Sequence, residues 1–469
     1  MIKAKHVDCI VVGGGPGGYA AAFRAADLGN EVTLIEKDSS LGGVCLNRGC
    51  IPSKTLLHIS KIIDEAESVE KFGVKFNSPT IDMKKIQSWK NRVIKKLGGG
   101  IKLLAKQRNV NVIQGTANFI SSKSIKIING NNSETINFDK CIIATGSRPI
   151  NLPFAKADHK NILNSTSALS LDKIPKKMLV VGGGYIGLEM ATAYSSLGTK
   201  VDVVEFLPRL LPGADIDLVE VLEKKLRNKL DNIYLSTKVT SISEVNGSVN
   251  VIMKTSNEEI TSTYDKVLIS VGRAPNTDNL AIENTGIILD ENGFIKVDEY
   301  RRTNIDNIFA IGDVTGNPML AHKATHEGKV AAEVCNNIPS AFEPQVIPAV
   351  IFTDPEIAWA GKTEEELKEE NVKYEKAVFP WQASGKAIAM DRTEGKTKLL
   401  FEPESKRVIG VGIVGCNASD LIGEAALSIE MGCYSEDIAL TIHPHPTLTE
   451  TFSNTAEVME KTITDLYIP

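Results

Sequence analysis

Hydrophobic and polar positions near the start of the chain alternate in blocks that predict a strand, a turn, a helix and a second strand. Residues 10–36 read IVVGGGPGGYAAAFRAADLGNEVTLIE. A β-branched run opens the segment, a glycine cluster interrupts it, an alanine-rich stretch follows, and a second apolar run ends in an acid. Short β-branched runs are typical of buried strands, and a longer alanine-rich stretch favours a helix. The pattern therefore predicts a βαβ-type unit.

Each part of this unit has the residue that binding a dinucleotide requires. Gly13 makes the tight turn, and Gly15 lets backbone amides approach a pyrophosphate at the N-terminus of the helix. Gly18 lets the helix pack closely on the strand. Glu36, at the end of the second strand, is placed to accept hydrogen bonds from ribose hydroxyl groups.

The same pattern returns in residues 179–205, which read LVVGGGYIGLEMATAYSSLGTKVDVVE. Its glycines and its acid repeat those of the first segment at one constant offset: Gly182, Gly184, Gly187 and Glu205. A lone GxGxxG also fits a tight turn between packed elements, but here each motif follows a strand, opens a helix and has its acid at the expected distance. The repeat therefore predicts two bound dinucleotides.

The acid of the second unit bears on which nicotinamide dinucleotide is used. A carboxylate at Glu205 binds the free 2′-hydroxyl group of NAD and repels the 2′-phosphate of NADP, so NAD is favoured. Arg209 lies four residues further on and is a candidate contact for a phosphate. The preferred interpretation is a solvated arginine in a loop.

A pair of cysteines, Cys45 and Cys50, follows the first unit in the segment LGGVCLNRGCIPSK. An undistorted helix separates such residues by more than ~7 Å, too far for a disulfide, so the turn must be bent, and Gly49 and Pro52 supply the bend. A structural disulfide or two idle thiols is the alternative. A strained bridge at a helix N-terminus, with Lys54 one turn away, instead favours an exchanging disulfide.

A candidate proton carrier occurs near the end of the chain, in the segment TIHPHPTLTETFS. His443 and His445 alternate with Pro444 and Pro446, and Glu450 follows. Only a thiolate attacks a disulfide, and an imidazole held by a carboxylate can take the dithiol's proton at neutral pH. A metal site is the alternative, but no further cysteine or acid lies at ligand spacing, so no metal is predicted. The sequence does not choose between the two histidines.

Size and composition exclude several classes of protein. The chain has 469 residues, which at roughly 150 residues per domain suggests about three packed units. Its net charge of −5 comes from scattered acids and bases, so nucleic acid is not an expected partner. No apolar stretch reaches the roughly 18 residues of a membrane span, so no membrane association is expected.

The seven cysteines are too few and too irregularly spaced for a disulfide scaffold, which favours a reducing cytoplasm. Lys3 and Lys5, followed by an apolar run, look like a secretory leader, but that run is explained by the first strand and its glycine turn. No targeting signal is expected.

Together these motifs make the chain resemble the flavoprotein disulfide reductases, the class I pyridine nucleotide-disulfide oxidoreductases. The resemblance covers essentially the whole chain, through GGGPGG, GGVCLNRGCIPSK, ATGSRP, GGGYIGLE, VGRAPNT, IFAIGDVTG, MLAHKATHEG and HPHPTLTE in family order. It implies an α/β fold with two Rossmann-like dinucleotide-binding domains and a C-terminal α+β dimerisation domain. The implied ranges are 1–148 for FAD, 149–275 for NAD, 276–346 for a central domain completing the FAD site, and 347–469 for the interface.

The resemblance also implies roles for individual residues. Cys45 would exchange with the substrate dithiol, and Cys50 would face the flavin. His445 would be the base, oriented by Glu450 and reaching the cysteine pair of the other subunit of an obligatory homodimer. Lys54 would pair with Glu189 near the flavin. The remaining FAD contacts would be Ala117, Thr145, Gly146, Ser147, Asp313 and Ala321, and Val239 and Gly272 would join the second glycine turn and Glu205 around NAD.

The activity that the resemblance implies is NAD-dependent oxidation of dihydrolipoyl groups, with electrons passing from dithiol to disulfide to FAD to NAD. The dihydrolipoyl group would belong to an acyltransferase or carrier protein of a 2-oxoacid dehydrogenase or glycine cleavage complex.

Reductases of glutathione disulfide usually carry basic residues where Glu205 stands, and mercuric reductases usually carry a C-terminal cysteine pair that this chain lacks. The intact cysteine pair and histidine also disfavour an adaptor without turnover. Val44, Arg48 and the segment QASGKA at 382–387 depart from the commonest family lettering.

Overall fold

A twisted sheet built around the first glycine unit organises the N-terminal part of the molecule. The computed structural model describes residues 5–155, 157 and 160–467. The first elements are β1 (Lys5–Val12), α1 (Pro16–Asp27), β2 (Val32–Glu36), α2 (Gly43–Arg48), α3 (Cys50–Ser68), α4 (Met83–Gln107), β3 (Asn111–Gln114), β4 (Thr116–Ser121), β5 (Ser124–Asn129), β6 (Asn132–Ile143) and β7 (Ser147–Pro149). The sheet order is β3-β2-β1-β6-β5-β4, with parallel pairing from β3 to β6. The β-branched run of β1 is buried on both faces, as is typical of central parallel strands.

A second parallel sheet repeats this design around the second glycine unit. Its segment contains β8 (Ile162–Leu163), α5 (Ser165–Ala168), β9 (Lys177–Val181), α6 (Tyr185–Ser196), β10 (Lys200–Val204), α7 (Ile216–Lys229), β11 (Asn232–Tyr234), β12 (Lys238–Val245), β13 (Ser248–Lys254), β14 (Glu259–Tyr264), β15 (Lys266–Ile269) and β16 (Arg273–Pro275). The order is β11-β10-β9-β15-β8, and β12, β13 and β14 form a separate antiparallel meander. Strand β16 pairs with β7 and so links the two units.

The chain then returns to the first sheet. Strand β17 (Ile308–Ala310) pairs with β6 in parallel, and α8 (Ala321–Cys335) packs against α1. The helices approach closely because both carry glycine at the contact: a Cβ on Gly328 would lie 2.5 Å from the Gly17 carbonyl oxygen. Residues from this later segment thus complete the first unit, and the four domain ranges stay a proposal.

The C-terminal part contains an antiparallel five-stranded sheet, order β18-β19-β22-β21-β20, with helices packed against it. Its elements are β18 (Ala349–Ile351), β19 (Glu356–Gly361), α9 (Glu364–Glu369), β20 (Glu375–Pro380), α10 (Gly385–Ala389), β21 (Lys396–Phe401), β22 (Val408–Gly415), α11 (Ala418–Glu430), α12 (Ser435–Leu440) and α13 (Glu450–Glu460). One core joins this sheet to α11 and α13 around the fully buried Trp381. The predicted α/β class, with two Rossmann-like units and a C-terminal α+β domain, is confirmed.

None of the helices in the part of the chain that the structure describes is both long enough and apolar enough to cross a membrane.

The two glycine turns explain why glycine is required at the start of each unit. Gly13 has φ of +107°, and a Cβ on Gly18 would lie 1.8 Å from the Gly13 carbonyl oxygen. In the second unit Gly182 has φ of +108°, and a Cβ on Gly187 would lie 2.2 Å from the Gly182 oxygen. The clashing atom is backbone in both cases, so no side-chain movement relieves it.

We expect Gly18→Ala to lower the free energy of unfolding by about 3 kcal/mol, because the new methyl group overpacks the turn under α1. Gly99→Ala is the matched control: Gly99 lies on the exposed face of α4 with no atom within 4 Å of an added Cβ. The free energy of unfolding of the control variant should rise by roughly 0.5–1 kcal/mol, because alanine has a higher helix propensity than glycine. Chemical denaturation followed by circular dichroism measures both, and equal stability of parent and Gly18→Ala would contradict the packing argument.

Candidate active site

A cavity of about 830 Å³ lies over the first glycine turn and extends to the cysteine pair. That volume is within the range of small-molecule and cofactor sites. The predicted residues that line it are Gly13, Gly15, Glu36, Cys45, Cys50, Lys54, Ala117, Thr145, Gly146, Ser147, Glu189, Asp313 and Ala321. Gly18 lies beneath the turn, where it allows α1 to pack. The structure therefore brings together residues that are far apart in the sequence.

The glycine turn of the cavity is shaped to receive an anionic group. A Cβ on Gly15 would meet only the Gly43 Cα atom, at 3.8 Å, so the space in front of the N-terminus of α1 is open. The Glu36 carboxylate accepts hydrogen bonds from the backbone amides of Gly14 at 2.7 Å and Asp38 at 2.9 Å. A helix N-terminus with free amides and an acid at the adjacent strand end fits the diphosphate and ribose of a dinucleotide.

The cysteine pair lies at a break between two helices. Helix α2 ends at Arg48, Gly49 has φ of −142° and ψ of −108°, and α3 begins at Cys50. The predicted bend is therefore present and lies at Gly49. Pro52 lies within the first turn of α3, where a missing N–H costs nothing, whereas in one unbroken helix its ring would clash with the Arg48 carbonyl group, so both predicted residues fit the break.

The two thiols differ in acidity because they interact directly. A hydrogen bond from Cys45, and then the charge of Lys54, lower the pKa of the Cys50 thiol to about 7, although burial acts in the opposite direction. The same hydrogen bond, together with burial and the charge of Cys50, raises the pKa of Cys45. One sulfur of the reduced pair is thus a thiolate near neutral pH and the other stays protonated.

A part-buried ion pair holds helix α3, which begins at Cys50. The Lys54 Nζ atom lies 2.8 Å and 3.0 Å from the two carboxylate oxygens of Glu189, on α6 of the second unit. Glu189 also accepts a hydrogen bond from the backbone amide of Phe352, at 3.2 Å, and the Lys54 ammonium lies 4.3 Å from the centre of the Phe352 ring. Segments from all three parts of the chain therefore meet beside the thiols.

Asp313 lies at the cavity wall in a network that sequence reasoning missed. It accepts a hydrogen bond from Ser147, whose hydroxyl group in turn accepts one from Arg273 at 2.7 Å. The turn before Asp313 is held by the buried Glu327, which accepts the Gly312 backbone amide at 2.6 Å. Arg273 and Glu327 belong to the segments VGRAPNT and THEG, which are the signals that could have identified them.

Arg48, one of the departures from the family lettering, also lines the cavity. It forms an ion pair with Asp38, which follows the acid of the first unit. Its positive charge beside the cysteine pair is therefore neutralised locally.

The structure distinguishes the two candidate histidines. Both ring nitrogens of His443 are occupied, Nδ1 by the Thr441 carbonyl oxygen and Nε2 by Glu424 at 2.6 Å, and its side chain is only 7% exposed. His445 is 78% exposed, with Nδ1 2.8 Å from Glu450 and Nε2 without a partner among the described residues. Only His445 has a ring nitrogen available to an incoming thiol.

The histidine loop does not reach the cavity of its own chain. Neither His445 nor Glu450 is among the described residues that line the cavity. Glu450 is itself held by the backbone amide of Thr447, at 2.7 Å, so the imidazole is oriented outward on a fixed loop.

The second glycine turn reproduces the geometry of the first. Glu205 accepts hydrogen bonds from the Gly183 amide at 2.6 Å and the Leu207 amide at 2.8 Å, and an added Cβ on Gly184 would meet no atom within 4 Å. The turn therefore fits a second dinucleotide. Gly272 has φ of +125° between β15 and β16, and Val239 is buried in β12. None of these residues lines the first cavity.

Comparison with known proteins agrees with this geometry. A family model described as pyridine nucleotide-disulphide oxidoreductase matches residues 7–328, and a model described as the dimerisation domain of that family matches residues 347–456. The chain is 50% identical to a dihydrolipoyl dehydrogenase of Vibrio parahaemolyticus, covering 99% of this chain and 98% of the relative. It is 46% identical to a dihydrolipoyl dehydrogenase of Geobacillus stearothermophilus, with 97% and 96% covered.

Solved structures give the same result. The crystal structure of LpdA from Mycobacterium tuberculosis has a TM-score of 0.90 and 28% identity, covering 97% of this chain and 100% of the other. The HOCl-induced flavoprotein disulfide reductase RclA from Escherichia coli has a TM-score of 0.86 and 26% identity, covering 96% and 99%.

In the reduced protein we expect the ultraviolet absorbance of thiolate to rise with pH around a midpoint near 7, because the pKa of Cys50 is lowered to about 7. Cys50→Ser should remove this transition, and Lys54→Met should move it to higher pH. Cys433→Ser, which changes a thiol whose pKa is raised by burial, is the control and should leave it in place. A transition that persists in Cys50→Ser would assign the acidic thiol elsewhere.

Proposed function

This chain belongs to the family of pyridine nucleotide-disulphide oxidoreductases, and on that premise we propose that it is a dihydrolipoyl dehydrogenase. It oxidises protein-bound dihydrolipoyl groups to lipoyl groups, passing two electrons through Cys45 and Cys50 and FAD to NAD. The observation that carries the proposal is the cysteine pair at a helix break beside a dinucleotide cavity, one thiol acidic and one not. Relatives of that name at half identity over nearly the whole chain support the choice of substrate.

FAD binds in the first cavity, and NAD binds at the second glycine turn. Bound FAD would supply an acceptor for the two electrons of the cysteine pair and a hydride donor for NAD, chemistry that no side chain here supplies. The backbone around Gly15 and the Glu36 carboxylate hold the diphosphate and ribose of FAD. Asp313, fixed by Ser147, holds the ribityl chain. Ala117, Thr145, Gly146 and Ala321 complete the FAD contacts, and the NAD site consists of Gly182–Gly187, Glu205, Val239 and Gly272.

The sulfur exchange is a balanced two-electron step. A substrate thiolate attacks the Cys45 sulfur of the Cys45–Cys50 bridge, the S–S bond breaks, and Cys50 leaves as a thiolate. The second substrate thiolate then attacks the substrate sulfur bonded to Cys45, which closes the lipoyl disulfide and releases Cys45. The substrate has lost two electrons and the cysteine pair has gained them. The Lys54 ammonium favours the Cys50 thiolate over the thiol.

His445 takes the proton of the attacking substrate thiol and keeps it as an imidazolium that balances the Cys50 thiolate, and the proton of the second substrate thiol passes to Cys45 as that sulfur leaves. Glu450 holds the imidazole through Nδ1, so Nε2 is the atom that moves the proton. Because the histidine loop does not line the cavity of its own chain, His445 and Glu450 act on the cysteine pair of the second subunit of a homodimer. The exposed imidazole and the match of residues 347–456 to a dimerisation domain support this arrangement.

The partner that presents the substrate is a lipoyl-bearing acyltransferase or carrier protein of a 2-oxoacid dehydrogenase or glycine cleavage complex. The enzyme acts in the cytoplasm. The cysteines outside the redox pair support a reducing compartment because they are too few and too irregularly spaced for a disulfide scaffold: Cys9, Cys141, Cys335, Cys416 and Cys433.

We expect the purified flavoprotein to form NADH from NAD and dihydrolipoamide, and to do so far better than it forms NADPH from NADP. Cys45→Ser should lose this activity while keeping its flavin, because the substrate thiolate then has no disulfide to attack. NADH absorbance measures the activity, and flavin absorbance is the control for cofactor binding. Near-normal turnover of Cys45→Ser, or reduction of glutathione disulfide in preference, would contradict the proposed substrate and route.

Dimers made of two different variant chains test whether His445 of one subunit acts on the cysteine pair of the other. His445→Gln should lower turnover by about 10²–10⁴, the usual contribution of a general base. A dimer with Cys45→Ser on one chain and His445→Gln on the other should regain about half the parental activity, because one of its two sites pairs an intact cysteine pair with an intact histidine.

Parental dimers, each homodimeric variant, and a His6→Gln dimer changed at an exposed site on β1 serve as controls. A mixed dimer no more active than the two variants would place the histidine and the cysteines on the same chain.

A further inference from the structure

The only basic residue between Glu205 and Asp215 is Arg209, which follows the acid of the NAD site in the same loop. The expectation that it is a solvated loop arginine is wrong. Its guanidinium forms a bidentate ion pair with the carboxylate of Glu365, on α9 of the C-terminal part. It also donates a hydrogen bond to the Pro212 carbonyl oxygen at 2.6 Å. Its side chain is 22% exposed.

The loop that carries Arg209 borders the ribose end of the NAD site. Leu207 donates its backbone amide to the Glu205 carboxylate at 2.8 Å, and Leu211 donates its amide to the Gly183 carbonyl oxygen at 3.1 Å. Both ends of the segment 207–211 are thus fixed against the glycine turn and the acid. An arginine in this loop, four residues after the acid, is a candidate contact for a 2′-phosphate, the group that such arginines accommodate in NADP-binding proteins.

Glu365 is held rigidly by the contact between α9 and the start of α7. The Asp215 carboxylate accepts the backbone amides of Glu364 at 2.9 Å and Glu365 at 3.4 Å. The buried Lys398 ammonium lies 2.7 Å from Asp215, 2.7 Å from Asp217 and 2.9 Å from Glu364.

These three carboxylates could by themselves hold a metal ion, but the lysine ammonium occupies the position between them. Although burial acts to raise the pKa of the Glu364 carboxyl, hydrogen bonds from Lys398 and Tyr374 lower it to about 2, so the cluster stays charged at neutral pH. The start of α9 is therefore anchored to the NAD-binding unit, and Glu365 is fixed in front of Arg209.

We propose that Glu365 is a specificity-determining residue that withholds Arg209 from the nucleotide and so excludes NADP. The proposal rests on the proposed NAD site. NADP is then excluded in two ways. Glu205 repels a 2′-phosphate, and Glu365 pairs with Arg209, the one cation of the loop that could otherwise neutralise that phosphate. The second way comes from a different part of the chain and acts through Arg209 alone.

Equilibrium binding of adenosine 2′,5′-bisphosphate and of AMP to the FAD-loaded protein, by titration calorimetry, tests this directly. Glu205→Ser alone should bind the bisphosphate weakly. Adding Glu365→Ala should tighten that binding about tenfold or more, the worth of one charge-assisted hydrogen bond of ~1.4 kcal/mol or more, and leave AMP binding unchanged. Adding Arg209→Gln as a third change should abolish the gain.

The matched control is Glu369→Ala in the Glu205→Ser background, which removes the same charge from an exposed position on the same helix. It should leave bisphosphate binding unchanged. Flavin content and thermal unfolding report whether each variant folds, and Glu365→Gln replaces Glu365→Ala if the latter does not.

A double variant that binds the bisphosphate no tighter than Glu205→Ser, or a gain that survives Arg209→Gln, would overturn the proposal. The binding readout requires no turnover. A protein that failed to oxidise dihydrolipoamide would therefore refute the proposed function without deciding this question.

Discussion

The ion pair between Lys54 and Glu189 determines where the two thiols lie relative to the nucleotide cavity. Lys54 is on the helix that begins at Cys50, and Glu189 is on the helix that begins at the second glycine turn. The Phe352 amide binds the same carboxylate, so the C-terminal part is fixed at the same point. The Glu189 side chain is only 3% exposed, so loss of Lys54 would leave a buried carboxylate without its counter-ion, which is destabilising. The pair is better explained by the positions it sets than by the stability it adds.

The same lysine also contributes to the chemistry of the pair. The hydrogen bond from Cys45, and then the charge of Lys54 one turn away, lower the pKa of Cys50 and make that sulfur the acidic one. Cys45, whose pKa is raised, is by contrast the sulfur that must be attacked while bridged and then reprotonated. A difference in acidity between neighbouring sulfurs gives the exchange a direction, since the better leaving group is the thiol of lower pKa.

Features decided by local backbone geometry were predictable from the sequence. The clash between Gly18 and the Gly13 oxygen depends on residues five positions apart, so a glycine motif reports it reliably. The bend between the cysteines was predicted from the distance that a disulfide requires and from Gly49 and Pro52, and the structure has the break at Gly49 with Pro52 in the first turn of the next helix. The choice between His443 and His445 required Glu424, which a local pattern could not identify as the partner of one of them.

Contacts between distant segments account for the rest. Arg209 was assigned to solvent because its partner, Glu365, belongs to another part of the chain. Arg273 and Glu327 act on the cavity only through Ser147 and Gly312, and no spacing rule connects those positions. Electron transfer through the sulfur pair can be measured by anaerobic addition of one equivalent of NADH, followed by counting and mapping of reactive thiols. Two new thiols per flavin, at Cys45 and Cys50, are the expected result; flavin reduction without new thiols at those positions would contradict the account.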